Sequence, residues 1–187
     1  MAWLALPGCA SDAPRTTTFQ GASVFPTAIA EPTDPSKPFD EVTCKADAFG
    51  KTRCQVKVLA KMRGSVCEAK APDIVFDKPS RTFVVTWIPS DEQQRPAEEF
   101  RFCPLLGDGA FLKNTNGSDD DQFDDAWSGD DAGVGSDPVK FKGRDCYKRF
   151  RMQAENSKSK ATYDYRMTFR HKSNGAVCTV DPVFKNG

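Results

Sequence analysis

The clearest pattern along the chain is a strict alternation over residues 162–170. Tyr163, Tyr165, Met167 and Phe169 fall on one face, and Asp164, Arg166, Thr168 and Arg170 on the other. That is the period of a strand buried on one side. Shorter runs repeat it. Val42-Thr-Cys44 and Cys54-Gln-Val56-Lys-Val58 alternate, with Gly50 between them as a turn signal. Residues 82–88 are β-branched and aromatic throughout, and residues 139–141, 146–154 and 176–180 read as further strands. Only residues 91–100 have a helical cast, and Pro96 interrupts them. Short strand-like runs separated by Gly, Pro, Asn and Asp predict an all-β domain: an antiparallel β-sandwich, Ig-like or jelly-roll-like.

The C-terminal runs also suggest a register. Asn174-Gly175 supplies a primed two-residue hairpin turn, with Ser173 opposite Ala176. Cys178 then faces His171, and Val180 faces Phe169. On the other side, a turn within residues 155–160 sets Ala154 opposite Ala161. Cys146 then faces Phe169, Met152 faces Tyr163 and Phe150 faces Tyr165. Cys146 and Cys178 would flank one central strand, roughly 9–10 Å apart. A disulfide needs Cα atoms within about 7 Å. These two cysteines are therefore expected to bond elsewhere, to partners such as Cys54, Cys67 or Cys103.

Composition adds a compartment. The 187 residues hold 7 cysteines, and Cys44, Cys54, Cys67, Cys103, Cys146 and Cys178 lie in the predicted body. Six cysteines spread through one domain predict three disulfides and an extracytoplasmic setting. The seventh, Cys9, stands alone in an apolar stub. Fourteen Phe supply a core although the hydrophobic fraction is only 39%. No apolar run approaches the roughly 20 residues of a membrane-spanning helix. With 26 basic and 26 acidic side chains the net charge is +0, which argues against a nucleic-acid binder.

The start divides from the rest. Leu6-Pro7-Gly8-Cys9 resembles the lipobox of bacterial lipoproteins. The resemblance implies that Cys9 is lipidated and anchors the protein to a membrane. The alternative is a truncated secretory signal. Residues 10–38 carry Pro14, Pro26, Pro32, Pro35 and Pro38 without apolar periodicity, as an extended tether would. The expected organisation is a lipobox-like stub at 1–9, a Pro-rich tether at 10–38 and one β-sandwich at 39–187.

An acidic insert interrupts the sandwich at residues 107–137. It contains Asp108, Asp119, Asp120, Asp121, Asp124 and Asp125, among further Asp residues. Clustered carboxylates in a Gly- and Asn-rich loop suit Ca2+, with Asp119, Asp120, Asp121, Asp124 and Asp125 as ligand candidates. The spacing is not that of an EF-hand, and a solvated surface loop is the alternative. Residues 140–172 carry the opposite sign, and Arg149, Arg151, Arg166 and Arg170 are expected to form a basic face. The insert would fold over that face, meet it on a neighbouring copy, or leave it open to an anionic polymer.

Catalytic motifs do not emerge. His171 is the only histidine, and no Gly-x-Ser-x-Gly elbow, Cys-x-x-Cys pair or phosphate-cradling loop accompanies it. Trp87-Ile88, Phe100-Arg101-Phe102, Tyr163-Asp164-Tyr165 and the ending Asp181-Pro182-Val183-Phe184-Lys185-Asn186 resemble a group of small proteobacterial β-proteins. That resemblance implies a β-sandwich and no particular activity. The expectation is a non-catalytic binding or structural protein of the periplasm, outer membrane or cell surface. It would be an accessory subunit or surface component held by protein contacts or self-assembly. The alternatives are a module binding an anionic polymer or Ca2+, and a hydrolase using insert carboxylates. Apart from Ca2+, no cofactor is expected, and a membrane is reached only through a lipid anchor.

Overall fold

The computed structural model describes residues 28–48, 50–78, 82–112, 139–155 and 162–186. The alternating and β-branched runs become strands, as their side-chain period requires. In chain order these are β1 (Ala28–Ile29), β2 (Glu31–Pro32), β3 (Glu41–Cys44), β4 (Lys51–Arg63) and β5 (Val66–Lys70). Next come β6 (Asp73–Phe76), β7 (Thr82–Ser90), β8 (Phe100–Arg101), a 3-10 turn (Pro104–Leu106) and β9 (Gly109–Leu112). The last are β10 (Val139–Phe141), β11 (Arg144–Cys146), β12 (Phe150–Glu155), β13 (Thr162–His171), β14 (Val177–Val180) and β15 (Val183–Asn186).

Two sheets face each other in a sandwich-like arrangement. The first runs β1-β4-β7-β12, with β5 added to β4. In the second, β13 is flanked by β14 and β15 on one edge and by β8 and β9 on the other. β14 and β15 lie along β13 in one continuous register, with Met167 opposite Val180 and Asp164 opposite Val183. They are a single strand interrupted at Pro182, which has no N–H for the ladder. There the Tyr165 amide donates to the Pro182 carbonyl at 3.0 Å. β15 continues through β6 and β3 to β2.

The sandwich is mixed rather than antiparallel, which corrects the sequence expectation. β4 and β7 form a nine-residue parallel ladder from Lys51↔Thr82 to Leu59↔Ser90. β6 is parallel to both β3 and β15, and β1 is parallel to β4. Gly50 therefore turns an arch between sheets, not a hairpin. The arch β3–β4 lies beside the arch β6–β7, and the intervening β5–β6 passage supplies the crossover that parallel pairing needs.

The core lies where the two inner faces meet. Thr52, Cys54, Val56, Val58 and Ala60 point inward from β4, and their neighbours are only partly buried. Opposite them the alternation of β13 holds as read: Tyr163, Tyr165, Met167 and Phe169 are all buried. Aromatic rings run through the interior from Phe83 and Phe76 to Phe184, Tyr165, Trp87, Phe150, Phe102, Phe169 and Phe100. Trp87 Nε1 donates across the sandwich to Tyr165 Oη at 3.3 Å. Burial pushes the Tyr165 hydroxyl far above its ordinary titration range.

Three disulfides brace this frame: Cys44–Cys54, Cys67–Cys178 and Cys103–Cys146. The first joins β3 to β4 and the second joins β5 to β14, so both cross from one sheet to the other. The third ties the residue before the 3-10 turn to β11. Cys146 and Cys178 do bond elsewhere, to Cys103 and Cys67, but not for the reason the register offered. β12 pairs with β7, Phe150 opposite Trp87, in the other sheet from β13. The expected β12–β13 hairpin therefore does not form. At the C-terminal turn Phe169, not His171, faces Cys178, because the pairing slips by two residues and keeps the same faces. Gly175 alone takes a positive φ there, and a Cβ on it would lie 2.5 Å from Phe141 Cζ.

Pairing also moves the expected boundaries. Residues 28–32, assigned to the tether, add to both sheets through β1 and β2. Residues 109–112, assigned to the acidic insert, form β9 against β13. Residues 91–97 make a turn rather than a helix: the Asp91 side chain accepts the Arg95 amide at 2.8 Å, and Pro96 bridges back to Ser90.

Candidate functional site

The expected basic face is divided by the fold. Arg149 and Arg151 go with β12 in the first sheet, whereas Arg166 and Arg170 belong to β13 in the second. The two pairs thus lie on different sheets because β12 pairs with β7. Arg166 Nε lies 3.4 Å from Asp181 Oδ1, with both side chains largely exposed. Arg170 is enclosed. Its Nε donates to Asp108 Oδ2 at 2.6 Å and its Nη2 to Asp108 Oδ1. Asp108 also accepts the Cys103 amide at 2.9 Å. The hydrogen bonds to Asp108 raise the Arg170 guanidinium above its ordinary range, against the opposing effect of burial. Asp108, the first carboxylate of residues 107–137, is therefore bound to a basic strand; residues 113–138 lie outside the described residues.

Of the other predicted site residues, six cysteines are cystines. Cys9 and Asp119, Asp120, Asp121, Asp124 and Asp125 lie outside the described residues. His171 is engaged locally: its Nδ1 is 3.1 Å from Asn174 Oδ1 and 3.0 Å from Ser173 Oγ, and its ring meets Phe100 edge-on. This arrangement steadies the turn before β14.

A second polar cluster lies on β3, β6 and β15. Lys185 Nζ sits between Glu41 Oε2 at 2.8 Å and Asp73 Oδ2 at 2.9 Å. Its hydrogen bond lowers the Glu41 carboxyl, and the two carboxylates raise the lysine. Asp73 Oδ1 additionally accepts the Val183 amide at 3.1 Å. An open groove of about 450 Å3 nearby is bordered by Asp40, Lys70, Asp73 and Asp181. Lys70 is paired with Asp40.

The arrangement that sequence reasoning missed centres on Arg101. Its neighbours Phe100, Phe102 and Cys103 are core residues, and Arg101 itself is only 4% exposed. β8 is held to β13 at Arg170 and His171, and Phe102 exchanges both backbone hydrogen bonds with Tyr147. These contacts bring the Lys148–Arg149 segment beside Arg101. Together with Ile88, Pro96 and Glu98 they border a cleft of about 170 Å3. Arg101 Nη1 donates to the carbonyls of Glu98 and Phe100, each at 2.7 Å. Nη2 is 3.7 Å from Glu98 Oε2, and that oxygen lies 2.7 Å from Lys148 Nζ. Arg101 Nε, fully buried, finds no acceptor among the described residues. Burial lowers the Arg101 guanidinium below its ordinary value, while Glu98 and Glu99 counteract this only in part. The sequence signal was an arginine inside an otherwise apolar Phe-Arg-Phe-Cys run, where a charge must find a partner or remain costly.

Fold and sites together define an all-β, disulfide-braced protein with a cationic cleft at one sandwich seam. Among known proteins, no family model matches the chain, and no curated sequence matches it.

Proposed function

We propose that this is a non-catalytic binding or structural component of an extracytoplasmic compartment, working as an accessory subunit or surface component through protein contacts. The three disulfides suit an oxidising setting, and among the described residues no helix is long and apolar enough to cross a membrane. The observation that carries the reading is the bracing. Two of the cystines join strands of opposite sheets, so the surfaces are presented by a frame whose seams are covalent. A preordered frame lowers the entropy lost on binding, which is what a binding or assembly module needs. The lipid anchor at Cys9 and a periplasmic, outer-membrane or surface position belong to the same proposal. Affinity isolation of the native protein after mild crosslinking, with intact mass of the bait, tests all of it. A partner or self-complex of fixed stoichiometry is expected, together with a mass gain at Cys9. A monomer that crosslinks to nothing and turns over a hydrolase substrate would reject the reading.

A module for Ca2+ or an anionic polymer is the second reading, and the cationic cleft favours its anionic half. Calorimetric titration with Ca2+ tests the other half, where absence of heat and of any thermal shift ends it.

A further inference from the structure

Arg101 is a buried cation with only a loose ion pair, to the mostly exposed Glu98 at 3.7 Å. Both of its good hydrogen bonds come from Nη1 and go to backbone carbonyls. The Nε/Nη2 edge is the fork that takes a carboxylate or phosphate group bidentately. On that edge Nε has no acceptor among the described residues, and the nearest charge to Nη2 is a Glu98 oxygen at 3.7 Å, beyond hydrogen-bond reach. Glu98 is already committed to Lys148 at 2.7 Å and is mostly exposed. The cleft lining carries Arg101, Lys148 and Arg149 against one carboxylate, Glu98, a surplus of two positive charges. A buried donor left without an acceptor is costly, and more so when it carries charge. Folding has accepted that cost at a position bordered by further cations and by the apolar walls Ile88 and Pro96. The cleft, about 170 Å3, is below the roughly 300–1,000 Å3 of pockets that enclose a drug-sized ligand. It admits a terminal group rather than a whole molecule.

We propose that this cleft is an oxyanion subsite, in which Arg101 holds a phosphate, sulfate or carboxylate group through Nε and Nη2 while Lys148 and Arg149 draw it in at the rim. The subsite goes beyond the binding role proposed above and stands whether or not a protein partner exists. At 4% exposure, the guanidinium meets its anion largely out of water, where charge-assisted hydrogen bonds are strongest.

The Arg101 Nε–H signal in nitrogen–proton spectra of the full-length, isotope-labelled protein reads the proposed contact directly. Inorganic phosphate, sulfate and acetate are titrated separately at constant ionic strength, with chloride as the balancing salt. A saturable shift of that signal is expected with at least one of them. Response to phosphate or sulfate alone assigns the subsite to tetrahedral groups, and response to acetate assigns it to carboxylates. In the exposed double variant Lys148→Ala/Arg149→Ala, which removes no core side chain, affinity should fall about tenfold. No saturable shift with any of the three anions, or equal affinity in the rim variant, overturns the proposal.

Discussion

Asp108 and Arg170 are 62 residues apart in sequence, yet their side chains form a forked pair whose exposures are 1% and 14%. Asp108 also holds the Cys103 amide, so one carboxylate fastens the 3-10 turn, β9 and β13 together. Removing one partner leaves the other charged and nearly dry, which costs more than the pair contributes. Asp108→Ala should lower unfolding stability by roughly 3 kcal/mol in urea titrations. Replacing Arg170 by Met in that background should restore part of the loss, because no buried charge is then unpaired. A single variant within about 0.5 kcal/mol of the parent would show that water reaches the pair. Neither role was visible from residue type. Asp108 reads as the first of many insert aspartates, and Arg170 as one cation in a basic run.

At the scale of elements, strand identity was legible where alternation was long. β13 and the middle of β4 are such strands, and their alternating residues Tyr163, Tyr165, Met167 and Phe169, and Cys54, Val56 and Val58, are buried; β7 shows only a β-branched and aromatic composition. Strand partnership was not legible. A period of two says which face a side chain takes but is silent about the neighbouring strand, so the pattern suits β12 beside β13 as well as beside β7, where it pairs. Short elements such as β6, β8 and β15 carry too few residues to show a period. β15 and β6 matter nonetheless, since they bring Lys185 against Glu41 and Asp73 across three parallel strands. Glu41 is lowered from 4.5, so its contribution is complete above that value and disappears as pH falls through the lowered one. Lys185 is raised from 10.5, so its share is lost only as pH rises through the higher value. With side chains about one-third exposed, screening limits the whole effect to about 0.5–1 kcal/mol. Lys185→Met should therefore melt below the parent between about pH 5 and pH 10, and the two curves should converge in acid. A gap independent of pH would mean the lysine stem, not its charge, is what matters.

At the scale of the molecule, the disulfides differ in reach and in shelter. Cys67–Cys178 closes a separation of 111 residues, whereas Cys44–Cys54 closes 10. By loop-closure entropy the longer bridge stabilises by about 4–5 kcal/mol and the shorter by somewhat under 3. Cys67 is also the one cystine residue that is not fully buried, and it is flanked by exposed Val66. Thiol–disulfide exchange needs access to a sulfur, so native-state reduction should open Cys67–Cys178 first. Peptide mapping after brief reductant treatment checks the order, and prior loss of Cys44–Cys54 would contradict it. Replacing Cys67 and Cys178 together by Ser should lower the melting temperature more than replacing Cys44 and Cys54.

By itself the sequence determined the β class, the inward face of β13 and of the middle of β4, and the oxidising setting implied by the cysteine count. Those follow from local periodicity and composition, which act over a few residues. Tertiary structure alone decided which strands adjoin, that the ladders are mixed, how the six cysteines pair, and that the basic residues are divided between two sheets. It alone decided that Arg170 is neutralised by Asp108 while Arg101 is left beside a cationic cleft. Those outcomes depend on the path of the chain between sheets, and burial changes the energetic meaning of a charge only once that path is closed.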